Sequence, residues 1–257
     1  DLIMHQITGT IITLNAEKYI HRAIESLSKI CDEIIVLDSE STDSTRDIAS
    51  SAGAKVFIQP FLGDGGQKKE ASKFSKNDWI FSLDADEYLD SDLIDFMNKI
   101  NLDDKSFDSY SFRRKNFCGE EWIKAAGFYP DSVTRLYNKN FVNYDTRADH
   151  AAVNSTKTYK TKVHIIHNTY SSMEEWVSKM NFRSSMSAQQ LFKDGKMPSL
   201  LRPIIRSLFA FFKKLIIKGG LFQGSNGFRV ALTTMFNTYL KYTKLNELHK
   251  KKDSSDK

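Results

Sequence analysis

Residues 79–88 read WIFSLDADEY, an apolar run suited to a buried strand that passes without a spacer into Asp84, Asp86 and Glu87. Three carboxylates this close repel one another unless positive charge sits among them. Two unit charges ~4 Å apart interact by about 1 kcal/mol in water but by ~4 kcal/mol at an effective dielectric of 20, so shielding raises the demand for a cation. An acid pair at i and i+2 just past a strand puts both carboxylates on one turn, where they can face a single ion. Oxygen donors of this kind suit Mg²⁺ or Mn²⁺, with water and phosphate oxygens filling the remaining positions. The competing reading is a solvated acidic turn, with Glu87 opening a helix. The apolar lead-in and the strands around it favour the ion.

Those strands come from the first hundred residues. ITGTIITLN ends at Asn15 as a helix cap, and Ile20, Ala23, Ile24 and Leu27 then recur at helical spacing. EIIVLDS is a second strand, STDSTRDIASSAG a helix stopped by Gly53, and AKVFIQ a third strand. A Gly-rich connection and a helix through Ala71 and Phe74 lead to the fourth strand, in DWIFSLDADE. The repetition predicts an α/β fold, a mostly parallel sheet flanked by helices. In such sheets ligands gather at the carboxyl ends of the strands, where Asn15, Asp38 and Asp84 fall. From about 105 to 168 the runs FDSYSFRR, SVTRLYN and KVHIIHN predict added strands. Past Ser172 and Glu175, which form a capping box, the pattern is helical to about residue 248.

A chain of 257 residues with 40% hydrophobic content carries a packed core, which excludes disorder for most of its length. A net charge of +5 asks for an anionic partner without separating nucleic acid, phospholipid and phosphorylated substrate. The two cysteines, Cys31 and Cys118, have no CxxC spacing, so neither a disulfide framework nor a zinc knuckle is supported. Reduced cytosol is the simplest compartment. No leader pattern opens the sequence, and a native start is expected at Met4. Near the carboxyl end, RPIIRSLFAFFKKLIIKGGLF is interrupted by Arg206, Lys213, Lys214 and Lys218, short of the ~20 apolar residues that a membrane span needs. Ile204, Ile205, Leu208, Phe209, Phe212, Leu215 and Ile216 mark one apolar face with cations beside it, as in a helix lying on an anionic membrane. Packing on the rest of the chain, or an oligomer contact, remains the alternative. The lysines follow no groove-reading motif, which argues against nucleic acid.

Five fragments, TIITLNAEKYIHRAIESL, DEIIVLDSESTDST, GGQKKEASKFSKNDWIFSLDADE, GFYPDSVTRLY and KYTKLNE, together resemble bacterial family 2 glycosyltransferases of the lipopolysaccharide-core type, the WaaE/KdtX-like β-1,4-glucosyltransferase group. The resemblance spans nearly the whole chain. It implies a GT-A fold, a UDP-sugar donor, a divalent metal (Mg²⁺ or Mn²⁺), inversion at the anomeric carbon, and an inner-core heptose or other lipid-linked glycan as acceptor. It also implies a place on the cytoplasmic face of the bacterial inner membrane. The expected organisation is a catalytic domain at 4–170, with a nucleotide-sugar half at 4–100 and an acceptor half at 101–170. A helical carboxyl-terminal extension, expected to associate with the membrane or to pack on the catalytic domain, follows at 171–250.

Matched residue by residue, Thr13, Asn15 and Glu17 are expected to line the nucleotide pocket, and Asp38 to accept hydrogen bonds from base or ribose. Gln67 and Lys68 match a Gln-Lys pair, with Lys68 expected to offset diphosphate charge. Lys69 stands where the family usually has Asn, so no role follows for it. Asp84 and Asp86 match the metal and diphosphate motif, Asp86 as direct metal ligand and Asp84 nearer the ribose or bridging to the metal through water. His167 is a candidate third ligand or a satisfied strand histidine; His164, three residues earlier, is expected on the other face. An inverting transfer needs a base for the acceptor hydroxyl, and Asp149 is the candidate. The family's usual His-Glu pair is here Ala148-Asp149-His150, a match in chemistry and position only. Arg135 reads as an acceptor contact or a buttress for the acids. Trp122 and Tyr129 read as a sugar-stacking pair or as core. A nucleotidyltransferase would share the sheet but usually carries a Gly- and basic-rich loop after the first strand, which TLNAEKYI lacks. An idle membrane-binding module of the same fold is the remaining rival.

Overall fold

The computed structural model describes residues 6–124, 126–145 and 151–255. The chain forms two compact units, one of Asp1–Lys115 with Asp131–His167, the other of Asn116–Pro130 with Asn168–Lys257.

The first unit begins with three strand–helix repeats and a fourth strand. These are β1 (Ile7–Thr13), α1 (Ile20–Leu27), β2 (Glu33–Asp38), α2 (Thr45–Ser51), β3 (Lys55–Ile58), α3 (Asp64–Lys73) and β4 (Trp79–Asp84). Then follow β5 (Glu87–Leu89), α4 (Ser91–Met97), β6 (Ser109–Cys118), β8 (Asp131–Asn138) and β9 (Thr158–Tyr170), while β7 (Glu121–Trp122) and the carboxyl ends of β6 and β9 belong to the second unit. One nine-stranded sheet runs in the order β3-β2-β1-β4-β8-β6-β9-β5, with β7 on β6. The expected fold class holds: this is a GT-A-like α/β fold. The pairs β1–β2, β1–β4 and β2–β3 are parallel, whereas β4–β8, β6–β8 and β5–β9 are antiparallel. The strands predicted after residue 105 thus extend the same sheet on the β4 side, as a mixed sheet.

Local sequence explains the parallel half. Every residue of β2 is buried, as a strand covered on both faces requires. Ile20, Ala23, Ile24 and Leu27, the predicted stripe, are the buried apolar positions of α1. Gly9 lets α1 approach β1 closely, since a Cβ there would lie 3.0 Å from Leu27 Cδ1. Burying these residues with Ile7, Ile11, Phe81 and Leu83 forms the main core. The chain reverses its order of strand addition at β1, between β2 and β4, and a ligand crevice forms at such a switch point. In register, Thr13 lies beside Asp38 and Ile12 beside Asp84, which sets the three predicted strand ends along one edge.

The second unit holds α5 (Met173–Lys193), α6 (Arg202–Phe212), one π turn (Lys213–Ile217), one 3₁₀ turn (Gly220–Gln223) and α7 (Gly224–Ser255). The capping box of α5 forms with a shift. Ser172 Oγ accepts from Glu175 N, but the Glu175 carboxylate accepts from Ser171 N rather than from its own cap residue. Among the described residues no helix is long and apolar enough to cross a membrane.

Where the 3₁₀ turn meets α7 the backbones nearly touch: a Cβ on Gly227 would sit 1.7 Å from the carbonyl oxygen of Gly220. No rotamer relieves a clash with backbone. Gly227→Ala is therefore expected to cost about 1–3 kcal/mol, the range for overpacking, seen as a lower urea midpoint.

Candidate functional site

The acids of the opening motif fall where the sequence put them. Asp84 ends β4, Ala85 and Asp86 form a two-residue turn, and Glu87 begins β5. The cations that face them are protein side chains. Arg135, on β8 and 3% exposed, places Nη2 2.6 Å from Asp84 Oδ2 and 2.6 Å from Glu87 Oε1. Arg114, on β6, donates to the same Glu87 oxygen at 3.2 Å and pairs with Asp131 at 2.7 Å. Lys68, on α3 and 3% exposed, lies 2.8 Å from Asp84 Oδ1 and 3.1 Å from Asp64 Oδ1. Glu87, 1% exposed, also accepts from Asp84 N at 3.2 Å, which closes the turn. Arg135 thus buttresses the acids.

Charge follows geometry. Burial pushes the Asp84 pKa up, but Arg135 and Lys68 outweigh it and hold the carboxyl well below the usual range. Burial likewise works to lower the Lys68 pKa, and Asp84 more than reverses it. Both groups are therefore charged at neutral pH.

Asp86 takes a different partner. Its Oδ2 lies 3.6 Å from His167 Nε2, and β5–β9 pairing sets His167 opposite Glu87. This oxygen–nitrogen pair is too long for a hydrogen bond yet close enough for two ligands of one ion, and its chemistry suits Mn²⁺ or Mg²⁺. The residues present thus fit a divalent ion through Asp86 and His167. For Asp84 to join them, the ion would have to displace Lys68 or Arg135 from its carboxylate. His164 engages Asp92 instead, Nδ1 to Oδ2 at 2.6 Å, so the two histidines do not chelate together. Asp90, Asp92 and His164 also bring three donor atoms within 4.8 Å. There Asp90 accepts from Ser91 N and pairs with Lys115 at 2.6 Å, and Asp92 accepts from His164 N, as helix capping and ion pairing require.

The predicted nucleotide residues form the adjoining rim. Thr13 is 5% exposed and its Oγ1 has no hydrogen-bond partner among the described residues, an orphaned hydroxyl at the end of β1. Asn15, held at φ +49°, donates N–H to Ser41 Oγ and accepts from Thr42 N. Glu17 accepts from Ser44 N at 3.0 Å. Asp38 is fully buried, accepts from Ser41 N at 2.8 Å and from Ser41 Oγ, and has Arg46 Nε at 3.9 Å. These bonds stitch the loop after β1 to the loop after β2. Gln67, also fully buried, donates to Ser39 Oγ and to the Gln59 carbonyl and accepts from Leu62 N. Gln67, Lys68 and Asp38 therefore spend their polar atoms inside the protein, and Thr13, Asn15 and Glu17 form the edge.

Asp149 lies outside the described residues. In the second unit Trp122 and Tyr129 pack edge to face on each other, centroids 5.2 Å apart. Sequence reasoning missed Arg114 and its partner Asp131. Strand parity held the signal: Arg114 shares its face with the buried Tyr110 and Phe112, and an inward arginine needs an acid.

The family model for glycosyl transferase family 2 matches residues 10–169. An uncharacterized glycosyltransferase of Rickettsia bellii is 36% identical over 260 residues, covering 96% of this chain and 88% of its own. The lipopolysaccharide core biosynthesis glycosyltransferase LpsC of Rhizobium meliloti is 27% identical, covering 95% and 93%. Among solved structures, S. aureus TarS 1–349 aligns over 98% of this chain and 92% of its own, with a TM-score of 0.46 at 16% identity.

Removing the cation at the centre tests the network. Arg135→Met leaves two acids without their shared partner and is expected to cost about 3–5 kcal/mol in urea unfolding, with Arg135→Lys losing less. A carboxyl whose pKa is lower folded than unfolded contributes stability in full above its unfolded value, ~3.9, and loses it as pH falls toward the folded one. Stability measured by urea unfolding is expected to fall below about pH 4, with a shallower slope in Asp84→Asn.

Proposed function

Because the chain belongs to glycosyl transferase family 2, and is thus a hexosyltransferase, we propose that it moves glucose from UDP-glucose to an inner-core heptose of lipopolysaccharide. The acceptor is lipid-linked, and the reaction takes place at the cytoplasmic face of the inner membrane. The observation that carries the reading is the Asp86–His167 donor pair just past β4, with the orphaned Thr13 hydroxyl at the end of the paired strand β1. The likeness to LpsC, named for lipopolysaccharide core biosynthesis, supports the acceptor class.

In this scheme Asp86 and His167 hold Mg²⁺ or Mn²⁺, which supplies charge neutralisation for the departing diphosphate. Arg135, Arg114 and Lys68 neutralise Asp84 and Glu87 and keep the turn rigid, so that Asp86 is presented in one position. Thr13, Asn15 and Glu17 face the nucleoside from the ends of β1 and its loop. Asp149 takes the proton of the acceptor hydroxyl as that oxygen bonds to the anomeric carbon from the face opposite the diphosphate. The bond to the diphosphate oxygen breaks in the same step, and the sugar inverts.

Thermal unfolding with UDP-glucose tests the scheme. Donor at about one hundred times its Kd should add ~2.7 kcal/mol, seen as a rise of several degrees that requires Mn²⁺. The rise should disappear in Asp86→Asn protein, which leaves Arg135 and its acids intact. Equal stabilisation in EDTA would overturn the metal-dependent reading.

A further inference from the structure

A helix on a soluble protein normally turns its apolar stripe inward. On α6 the order is reversed. Its buried residues are Pro203 and Ser207, while Ile204, Ile205, Leu208, Phe209 and Phe212 are between 47% and 60% exposed. Beyond it the same character continues through Ile216 and Ile217 in the π turn and Leu221 and Phe222 in the 3₁₀ turn, Phe222 being 91% exposed. So α6 packs on α7 and still presents a continuous row of large apolar side chains to the outside. Contiguous exposure on this scale marks a docking surface and not scattered surface residues.

The charge around the row identifies what covers it. From Gly195 to Asn246 the sequence contains no Asp or Glu, and Arg206, Lys213 and Lys218 are exposed beside the apolar residues. A second copy docking by this face would set cation against cation, because a two-fold interface brings the same patch to itself. An acidic lipid surface does the opposite, taking the apolar row into its acyl boundary and the cations among its headgroups. Among the described residues no helix is long and apolar enough to span a bilayer, so the occupant argued for here is a membrane surface and not a membrane interior.

We propose that α6, the π turn and the 3₁₀ turn form an interfacial anchor that docks the enzyme on anionic phospholipid. The aromatic and aliphatic row of residues 204–222 inserts, and Arg206, Lys213 and Lys218 contact the headgroups. This deepens the lipid-linked-acceptor reading, yet it concerns lipid alone and needs neither donor nor acceptor sugar.

The test uses the full chain and vesicles of phosphatidylcholine with or without phosphatidylglycerol, read by co-sedimentation. Binding is expected only with the anionic lipid, to weaken as salt rises, and to fall at least about tenfold in Phe209→Glu/Phe222→Glu and in Lys213→Glu/Lys218→Glu. Phe222→Ser alone, at a side chain with almost no packing to lose, should already weaken binding, which guards against misfolded double variants. Transfer to a soluble acceptor fragment should be unchanged in all of these. Equal binding to both vesicle types, or binding unaffected by the four substitutions, would overturn the anchor. So would a stable dimer in light scattering that Phe209→Glu dissociates. Absence of vesicle binding by the unsubstituted chain, with its transfer intact, would overturn the anchor alone, and absence of UDP-sugar transfer with vesicle binding intact would overturn the transferase reading alone.

Discussion

The arginine at position 135 organises the carboxyl edge of β4. One buried guanidinium nitrogen reaches both Asp84 and Glu87, and without it two carboxylates on either side of a tight turn would share a shielded space with like charge. Lys68 and Arg114 complete the neutralisation from α3 and β6. Such a network contributes little net stability when intact, because desolvating its five charges offsets much of their attraction. Its consequence is geometric: the turn has one arrangement, and Asp86 at its tip has one place to point its chemistry.

That division of labour among three adjacent acids is the main functional lesson. The DAD pattern looks symmetrical in sequence, but Asp84 is bound to two protein cations whereas Asp86 stands against His167. A divalent ion added to the site meets an oxygen and a nitrogen donor at Asp86 and His167, and meets ammonium and guanidinium at Asp84. The loops after β1 and β2 are treated similarly: Asp38 and Gln67 look outward in a motif comparison, yet both are buried and consumed in holding Asn15 and Ser39 in place. Interior residues thus shape the rim formed by Thr13, Asn15 and Glu17.

The second unit obeys another logic. Its helices expose what helices usually hide, and its long acid-free stretch leaves the exposed face with one sign of charge. Apolar area and positive charge together select an acidic bilayer over another copy of the same surface.

Local sequence determined the elements. Period-2 and period-3.6 patterns located β1 to β4 and α1 to α3, and strand–helix alternation set the parallel half of the sheet, because these depend on neighbours within a turn or two. The position of the acids at a strand end followed from the same patterns, and the amphipathic row of α6 was visible as spacing. The family of the chain was legible in five ordered fragments. Tertiary structure decided which partner each charged group received. Arg135 and Asp84 are 51 residues apart, and Lys68, Arg114 and His167 come from three further elements. Whether a carboxylate meets a guanidinium or an imidazole depends on strand order and register, which no local pattern encodes. Folding also chose the direction in which α6 faces, since an apolar stripe specifies that something must cover it, and only packing tells whether the protein itself does.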